Sequence, residues 1–240
     1  MGNGALWVLG MPLHDSFTLP ANTLDRLAAA DLYIGESRKV ALRFLSRVKD
    51  AKTKPLYLLD EAASPEEKQW RPAIKQAALE NKTVALFSDT GMPLLFDPGR
   101  EVLWAAQQLQ MLIRCESGPT SWGTAAALSG WLPPFFVVGF PPRETPDRQR
   151  FWNSLRQTPW HCVLMERPYR FLSFLDECKK EFGAAREGFL AWELDAPTQR
   201  LIWGTLDRIS HTARTFEKTK GEFVLVVQGT GPLARRENFS

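Results

Sequence analysis

Apolar and polar positions along the first half of the chain predict strands and helices in turn. Short apolar runs bounded by polar or glycine-containing turns are typical of buried strands, and longer segments with apolar residues three or four apart predict amphipathic helices. The predicted strands are 6–9, 32–34, 55–59, 83–87 and 112–115, and the predicted helices are 23–30, 40–48, 65–81, 100–110 and 122–129. This alternation predicts an α/β domain with a parallel sheet.

The pattern changes after Gly130, where residues 132–144 are rich in proline and aromatic side chains. We place a junction in this stretch, so the predicted domains are 1–132 and 133–240. Beyond it, helices are expected at 148–156 and 170–182, and strands at 161–166, 188–193, 198–205 and 222–227. The predicted fold class is therefore α/β, with two α/β domains and a ligand cleft.

Composition restricts the compartment and the cofactor. The chain has 240 residues, 44% of them hydrophobic and 24% charged, and a net charge of +3. Its apolar runs stay shorter than the ~18 residues of a membrane span, and the first residues lack the pattern of a secretory signal. Cys115, Cys162 and Cys178 are widely spaced and form neither a disulfide framework nor a metal-ligand pattern. We expect a cytoplasmic protein with no membrane association and no bound metal.

The loop of residues 87–99 is the most informative segment. It follows a predicted buried strand and contains two Asp, two Gly and two Pro. In open α/β sheets, ligands bind at the carboxyl ends of strands. Asp89 comes directly after the strand and is the better ligand candidate. Asp97 precedes the next helix, where an Asp would equally serve as an N-cap.

Two further loops follow predicted strands. In residues 117–121, the N–H groups of a helix start and the hydroxyls of Thr120 and Ser121 suit a polar ligand, or simply cap the helix. Residues 10–15 match neither a dinucleotide fingerprint nor a P-loop. His14 beside Asp15 could act in acid–base chemistry, although a lone loop histidine is more often a surface residue. The residues alone predict a ligand cleft and leave the reaction open.

Charged side chains cluster near these loops. Positive charge at the rim of a pocket would suit a phosphate backbone, but a solvated surface explains most such clusters. Glu36 ends a strand beside Arg38, and Glu166 ends one beside Arg167 and Arg170, so these carboxylates could form local ion pairs rather than act as catalytic acids. The basic clusters are Arg38, Lys39 and Arg43, then Arg143, Arg148 and Arg150, then Arg167 and Arg170.

Several segments in series resemble the tetrapyrrole methylase superfamily, specifically its branch of 16S rRNA 2′-O-ribose methyltransferase I enzymes. The sequence S-D-T-G-M-P-L-L-F-D-P-G at 88–99 resembles that branch's S-D-A-G-T-P-x-x-x-D-P-G, and S-G-P-T-S at 117–121 resembles P-G-P-S-A. Residues 139–143, 166–170 and 220–227 are similar to G-F-L-P-x-K, E-S-P-H-R and K-G-E-x-V-L-V-V. The chain departs at Ser37, which replaces the Asp of A-E-D-T-R, and at 60–63, which lack the histidines and Asn of H-x-H-N.

The resemblance implies a homodimeric methyltransferase that binds S-adenosylmethionine in a cleft between its two α/β domains and acts on a cytidine ribose of small-subunit ribosomal RNA. No catalytic base is evident from the motifs. A small-molecule methyltransferase of the tetrapyrrole type and a non-catalytic paralogue that binds cofactor or RNA remain as alternatives. Carried over position by position, the implied cofactor-binding residues are Gly10, Pro12, Asp89, Met92, Thr120, Ser121, Met165, Ala191 and Gly204.

Overall fold

A computed structural model describes residues 3–14, 18–60 and 62–231. Two residues singled out in the sequence lie outside these ranges: Asp15, which follows His14, and Glu61, which belongs to the divergent segment 60–63. The chain divides into two compact units, Met1–Thr120 and Ser121–Ser240.

The N-terminal unit is an alternating α/β structure with a fully parallel five-stranded sheet, as the sequence pattern predicts. The strand order is β3-β2-β4-β1-β5. The elements are β1 (Ala5–Leu9), α1 (Ala21–Ala29), β2 (Leu32–Gly35), α2 (Arg38–Leu45), a 3-10 helix (Ala51–Thr53), β3 (Leu56–Leu58), α3 (Trp70–Leu79), β4 (Thr83–Phe87), α4 (Arg100–Gln108) and β5 (Leu112–Glu116).

Helices cover both faces of this sheet. Successive side chains of a strand point to opposite faces, so β1 supplies Leu6 and Val8 to one core and Leu9 to the other. Leu6 and Val8 pack with residues of α3 and α4, such as Ile74. Leu9 packs with residues of α1 and α2, such as Phe44. With both faces buried, the loops at the carboxyl edge are the part of the sheet available for ligand chemistry.

The C-terminal unit has a mixed five-stranded sheet of order β6-β7-β10-β8-β9. Only β6 and β7 are parallel; the other neighbours are antiparallel. An aromatic core that includes Trp152, Phe171 and Phe223 fills the space under α6, α7 and α8. The elements are α5 (Ser121–Leu128), β6 (Phe135–Gly139), α6 (Thr145–Leu155), β7 (His161–Met165), a 3-10 helix (Pro168–Arg170), α7 (Phe171–Phe182), β8 (Glu187–Trp192), β9 (Arg200–Thr205), α8 (Leu206–Ala213) and β10 (Phe223–Val227).

The boundary between the two units follows Thr120, which is earlier in the chain than the predicted junction at 132/133. Helix α5 belongs to the second unit because it packs against β7, β8 and β10. The proline-rich stretch also contains a strand that the sequence pattern missed. Pro133 and Pro134 precede β6, which lies at the edge of its sheet, where proline at the start of a strand is tolerated.

Two helices differ from the sequence-based prediction by more than three residues. Helix α3 begins at Trp70 rather than at residue 65, because the backbone N–H of Leu58 donates to Glu67 O at 2.8 Å and holds that segment beside β3. Helix α8 was not predicted. It begins after Thr205, whose side chain accepts a hydrogen bond from the backbone N–H of Arg208 at 3.2 Å.

None of the described helices is long and apolar enough to cross a bilayer. Cys115 is an exposed free thiol, and Cys162 and Cys178 are buried free thiols. Burial raises the pKa of Cys162 to about 12, which makes it a poor nucleophile.

Candidate active site

Glycine backbone joins the loops that follow β1 and β5. These strands are neighbours, so their carboxyl ends leave the sheet side by side. The N–H of Gly10 donates to Glu116 O at 2.9 Å. A Cβ on Gly10 would lie 2.3 Å from the Gly118 Cα, and a Cβ on Gly118 would lie 2.5 Å from the Gly10 Cα. Any side chain at either position would force the loops apart.

The loop after β4, on the other side of β1, also contacts the loop after β1. The N–H of Met11 donates to Gly91 O at 2.8 Å, and the N–H of Gly91 donates to Pro12 O at 3.4 Å. Gly91 has a φ of 68°, and a Cβ there would lie 3.2 Å from Pro119 O. Three of the loops singled out in the sequence therefore converge through backbone contacts. Met92 of this loop packs on the core beneath it.

Asp89 is fixed by residues that follow β2, the other neighbour of β4. The N–H and hydroxyl of Ser37 donate to its two carboxylate oxygens at 3.1 and 2.6 Å. The N–H of Asp89 donates to the Glu36 side chain at 2.9 Å. A carboxylate oxygen accepts more than one hydrogen bond, so Asp89 keeps capacity for donors from a ligand.

Ser37 and Glu36 thus acquire roles that the sequence analysis missed. In the sequence, Ser37 stands out only as a departure from the family motif. The predicted ion pair of Glu36 with Arg38 is wrong, because Arg38 pairs with Glu67 instead. Both roles depend on the pairing of β2 with β4, which brings the residues after these two strands together. Local sequence does not indicate this pairing.

Asp97 is a partly buried carboxyl near two others. Burial, and then the charges of Glu36 and Asp89, raise its pKa to about 7. Burial also raises the pKa of Glu36. The capping alternative for Asp97 is wrong, because the N-cap of α4 is Gly99, with a φ of 117°, and no side chain caps it. Three carboxylates in one neighbourhood repel one another, and this repulsion favours a cationic ligand beside them.

The predicted residues of the C-terminal unit fall into two places. Ser121, at the start of α5, has its hydroxyl 3.9 Å from the Met165 sulfur. Met165 and Ala191 both pair with Val224 from opposite sides, at the carboxyl ends of β7 and β8. Ala191 is fully buried. Gly204 pairs with Gly188 at the opposite end of β8, so the sheet does not bring it to Met165 and Ala191.

Most arginines in the later basic clusters are neutralised. Arg148 is buried, ion-pairs with Glu166 at 3.1 Å and with Glu177, and donates to Pro142 O at 2.9 Å. Arg170 lies 3.2 Å from Glu166, which confirms a local ion pair there. These contacts hold the loop after β6 and the loop after β7 together, which is a structural role.

Comparison with known proteins identifies the class. Residues 5–210 match the family model described as Tetrapyrrole (Corrin/Porphyrin) Methylases. The chain is 30% identical over 230 residues to the Ribosomal RNA small subunit methyltransferase I of Thermotoga maritima, with 94% of this chain and 99% of that protein covered. It is 29% identical over 231 residues to the protein of the same name from Halalkalibacterium halodurans, covering 95% and 77%.

Solved structures share the fold. A cobalt precorrin-4 methyltransferase superposes with a TM-score of 0.64 at 17% identity, covering 98% of this chain and 97% of that one. A uroporphyrin-III C-methyltransferase from Thermus thermophilus, complexed with S-adenosyl homocysteine, gives 0.58 at 16% identity, covering 97% and 99%. The fold is that of the tetrapyrrole methylases. The chain belongs to the tetrapyrrole methylase family and is a methyltransferase of that family.

Proposed function

We propose that this protein transfers a methyl group from S-adenosylmethionine to a ribose 2′-hydroxyl of small-subunit ribosomal RNA. The observation that carries the proposal is the relationship, over 94% of the chain, to a methyltransferase named for small-subunit ribosomal RNA. The motifs of the 2′-O-ribose branch, read from the sequence, support the ribose hydroxyl as the acceptor.

The loops of the N-terminal unit fit the cofactor. S-adenosylmethionine carries an ammonium, a sulfonium and ribose hydroxyls, and Asp89 offers those groups a carboxylate that Ser37 holds in place. The contact between Gly10 and Gly118 packs the loops after β1 and β5 directly against each other, which brings the backbone of both loops to one place. We assign Gly10, Pro12, Asp89, Met92 and Thr120 to the cofactor, while Ser121, Met165 and Ala191 stay predictions for the other unit.

The bound cofactor supplies an electrophilic methyl group on its sulfonium. The chain's part is to orient the reactants and to receive a proton, since the 2′-hydroxyl loses its proton as the new O–C bond forms. Among the described carboxyls of these loops, Asp97 has a pKa of about 7, which suits proton transfer at neutral pH.

A methyl-transfer assay tests the function. Purified protein, labelled S-adenosylmethionine and either naked 16S rRNA or 30S particles are expected to give a 2′-O-methylated ribose. Asp89→Ala should abolish transfer and weaken cofactor binding measured by calorimetry, whereas Asp25→Ala, an exposed carboxylate of α1, should leave both unchanged. Methylation of a porphyrinogen instead would favour the small-molecule alternative. Cofactor binding with transfer to neither acceptor would favour the non-catalytic paralogue.

We also propose a cytoplasmic homodimer. Strand β5 lies at the edge of its sheet with Leu112, Ile113 and Cys115 all exposed. Exposed apolar edge strands are normally covered, because their unpaired backbone groups promote association. Light scattering is expected to give a dimer for the wild type and a monomer for Ile113→Lys. The ribosomal substrate and the free thiols support the cytoplasm as the compartment.

A further inference from the structure

Positive charge is concentrated on α2 and the turns that follow it. Residues 38–54 contain seven of the 30 basic side chains and one of the 27 acidic ones. The rest of the chain therefore has 23 basic and 26 acidic side chains, so the basic character of the protein comes from this segment. A single stretch of this kind is the electrostatic footprint that nucleic-acid phosphates require.

Some cations of this segment contact other groups of the protein, and others are available to a ligand. Arg38 pairs with Glu67, and the Lys54 Nζ donates to Ala28 O at 2.6 Å and Ala30 O at 2.7 Å at the end of α1. Arg43 lies against the Phe44 ring. Four exposed side chains remain that have no carboxylate within 4.0 Å in the described parts of the chain: Lys39, Arg47, Lys49 and Lys52.

The available cations start beside the cofactor loops. Helix α2 buries Ala41, Phe44 and Leu45, which leaves Lys39 on its solvent face. Its N-cap is Ser37, the residue that holds both oxygens of Asp89. A helix of 8 residues is about 12 Å long, so the cations extend from the Asp89 site along one continuous piece of chain within the same unit.

We propose that Lys39, Arg47, Lys49 and Lys52 bind phosphates of the RNA strand that flanks the methylated ribose; this rests on the proposed function. Phosphate contacts fix the position of a nucleic acid without reading its sequence. Flexible, unpaired lysines and an arginine serve that role as positive charges in solvent. Their binding strength depends steeply on salt, because each contact releases counterions.

The test compares two triple variants of equal charge. The first is Arg47→Gln with Lys49→Gln and Lys52→Gln. The control is Lys75→Gln with Lys180→Gln and Lys218→Gln, which removes three exposed charges elsewhere on the chain. Affinity for a small-subunit rRNA fragment is measured between about 50 and 200 mM KCl. Each lost phosphate contact should reduce the slope of log affinity against log salt by about 0.7, so the first variant should lose about 2 from its slope.

For equal affinities at 1 M salt, a change of about 2 in slope corresponds to an affinity loss of about 100-fold at about 0.1 M salt. Cofactor affinity and kcat at saturating RNA should match the wild type, and the control should bind RNA normally. A first variant with the wild-type slope, or a control that weakens equally, would overturn the inference while wild-type methylation upholds the proposed function. A wild type that neither binds nor methylates RNA would overturn both.

Discussion

The Asp97 carboxyl should make the stability of the protein depend on pH. Its pKa is about 7 in the fold against an ordinary value of 3.8. As the pH rises, Asp97 therefore loses its proton at a lower pH in the unfolded chain than in the folded protein. Between about pH 4 and pH 7 the folded state binds more protons than the unfolded state. The free energy of unfolding then falls by up to ~1.4 kcal/mol for each pH unit. The stabilisation is fully present below about pH 4, is lost as the pH rises to about 7, and changes no further above that.

The substitution Asp97→Asn isolates this effect. A shift of about three pH units sets an upper limit of about 4 kcal/mol, and the partial exposure of the side chain lets water screen the charge. We expect a difference of about 1–2 kcal/mol. The amide stays neutral, so the variant should keep at pH 8 the stability that the wild type has only in acid.

Urea unfolding followed by tryptophan fluorescence at about pH 5, 6, 7 and 8 measures the difference. The stability of Asp97→Asn relative to the wild type should increase steadily with pH and level off above about pH 7. Asp25→Asn, at an exposed position of α1, should show no such trend. A difference between Asp97→Asn and the wild type that is equal at pH 5 and pH 8 would refute the reasoning.

Three further changes probe the contacts that build the two units. Ser37→Ala removes the 2.6 Å hydrogen bond to Asp89 and should weaken cofactor binding about tenfold by calorimetry, with Ser37→Thr restoring it; equal affinities would contradict the anchoring role. Gly118→Ala should lower the unfolding free energy by about 2 kcal/mol or more in urea titrations, because its Cβ meets the Gly10 backbone. Arg148→Met should cost about 3 kcal/mol by removing the buried cation that Glu166 and Glu177 share, with Arg170 as their remaining partner, and a loss below about 1 kcal/mol would contradict that.

Local sequence patterns predict most of the elements and the loops that carry chemistry. Short apolar runs and amphipathic periodicity are local properties, so β1, β4 and β5 and the loops after them were predicted close to their observed positions. The glycines of these loops could be recognised from the sequence for the same reason. The pattern does not predict strand β6, because Pro133 and Pro134 directly before it break the local pattern, although an edge strand tolerates prolines at its start.

Contacts between distant residues decide the rest. Ser37 and Asp89 are 52 positions apart and meet only because β2 pairs with β4. The same long-range packing pairs Arg38 and Arg148 with carboxylates and leaves Lys49 free of them in the described structure, although all three look equivalent in the sequence. The sequence by itself determined the order of elements and the family motifs. Only the tertiary structure decided which loops converge, which charges are neutralised and which carboxyl has a raised pKa, because these properties depend on burial and on neighbours from other segments.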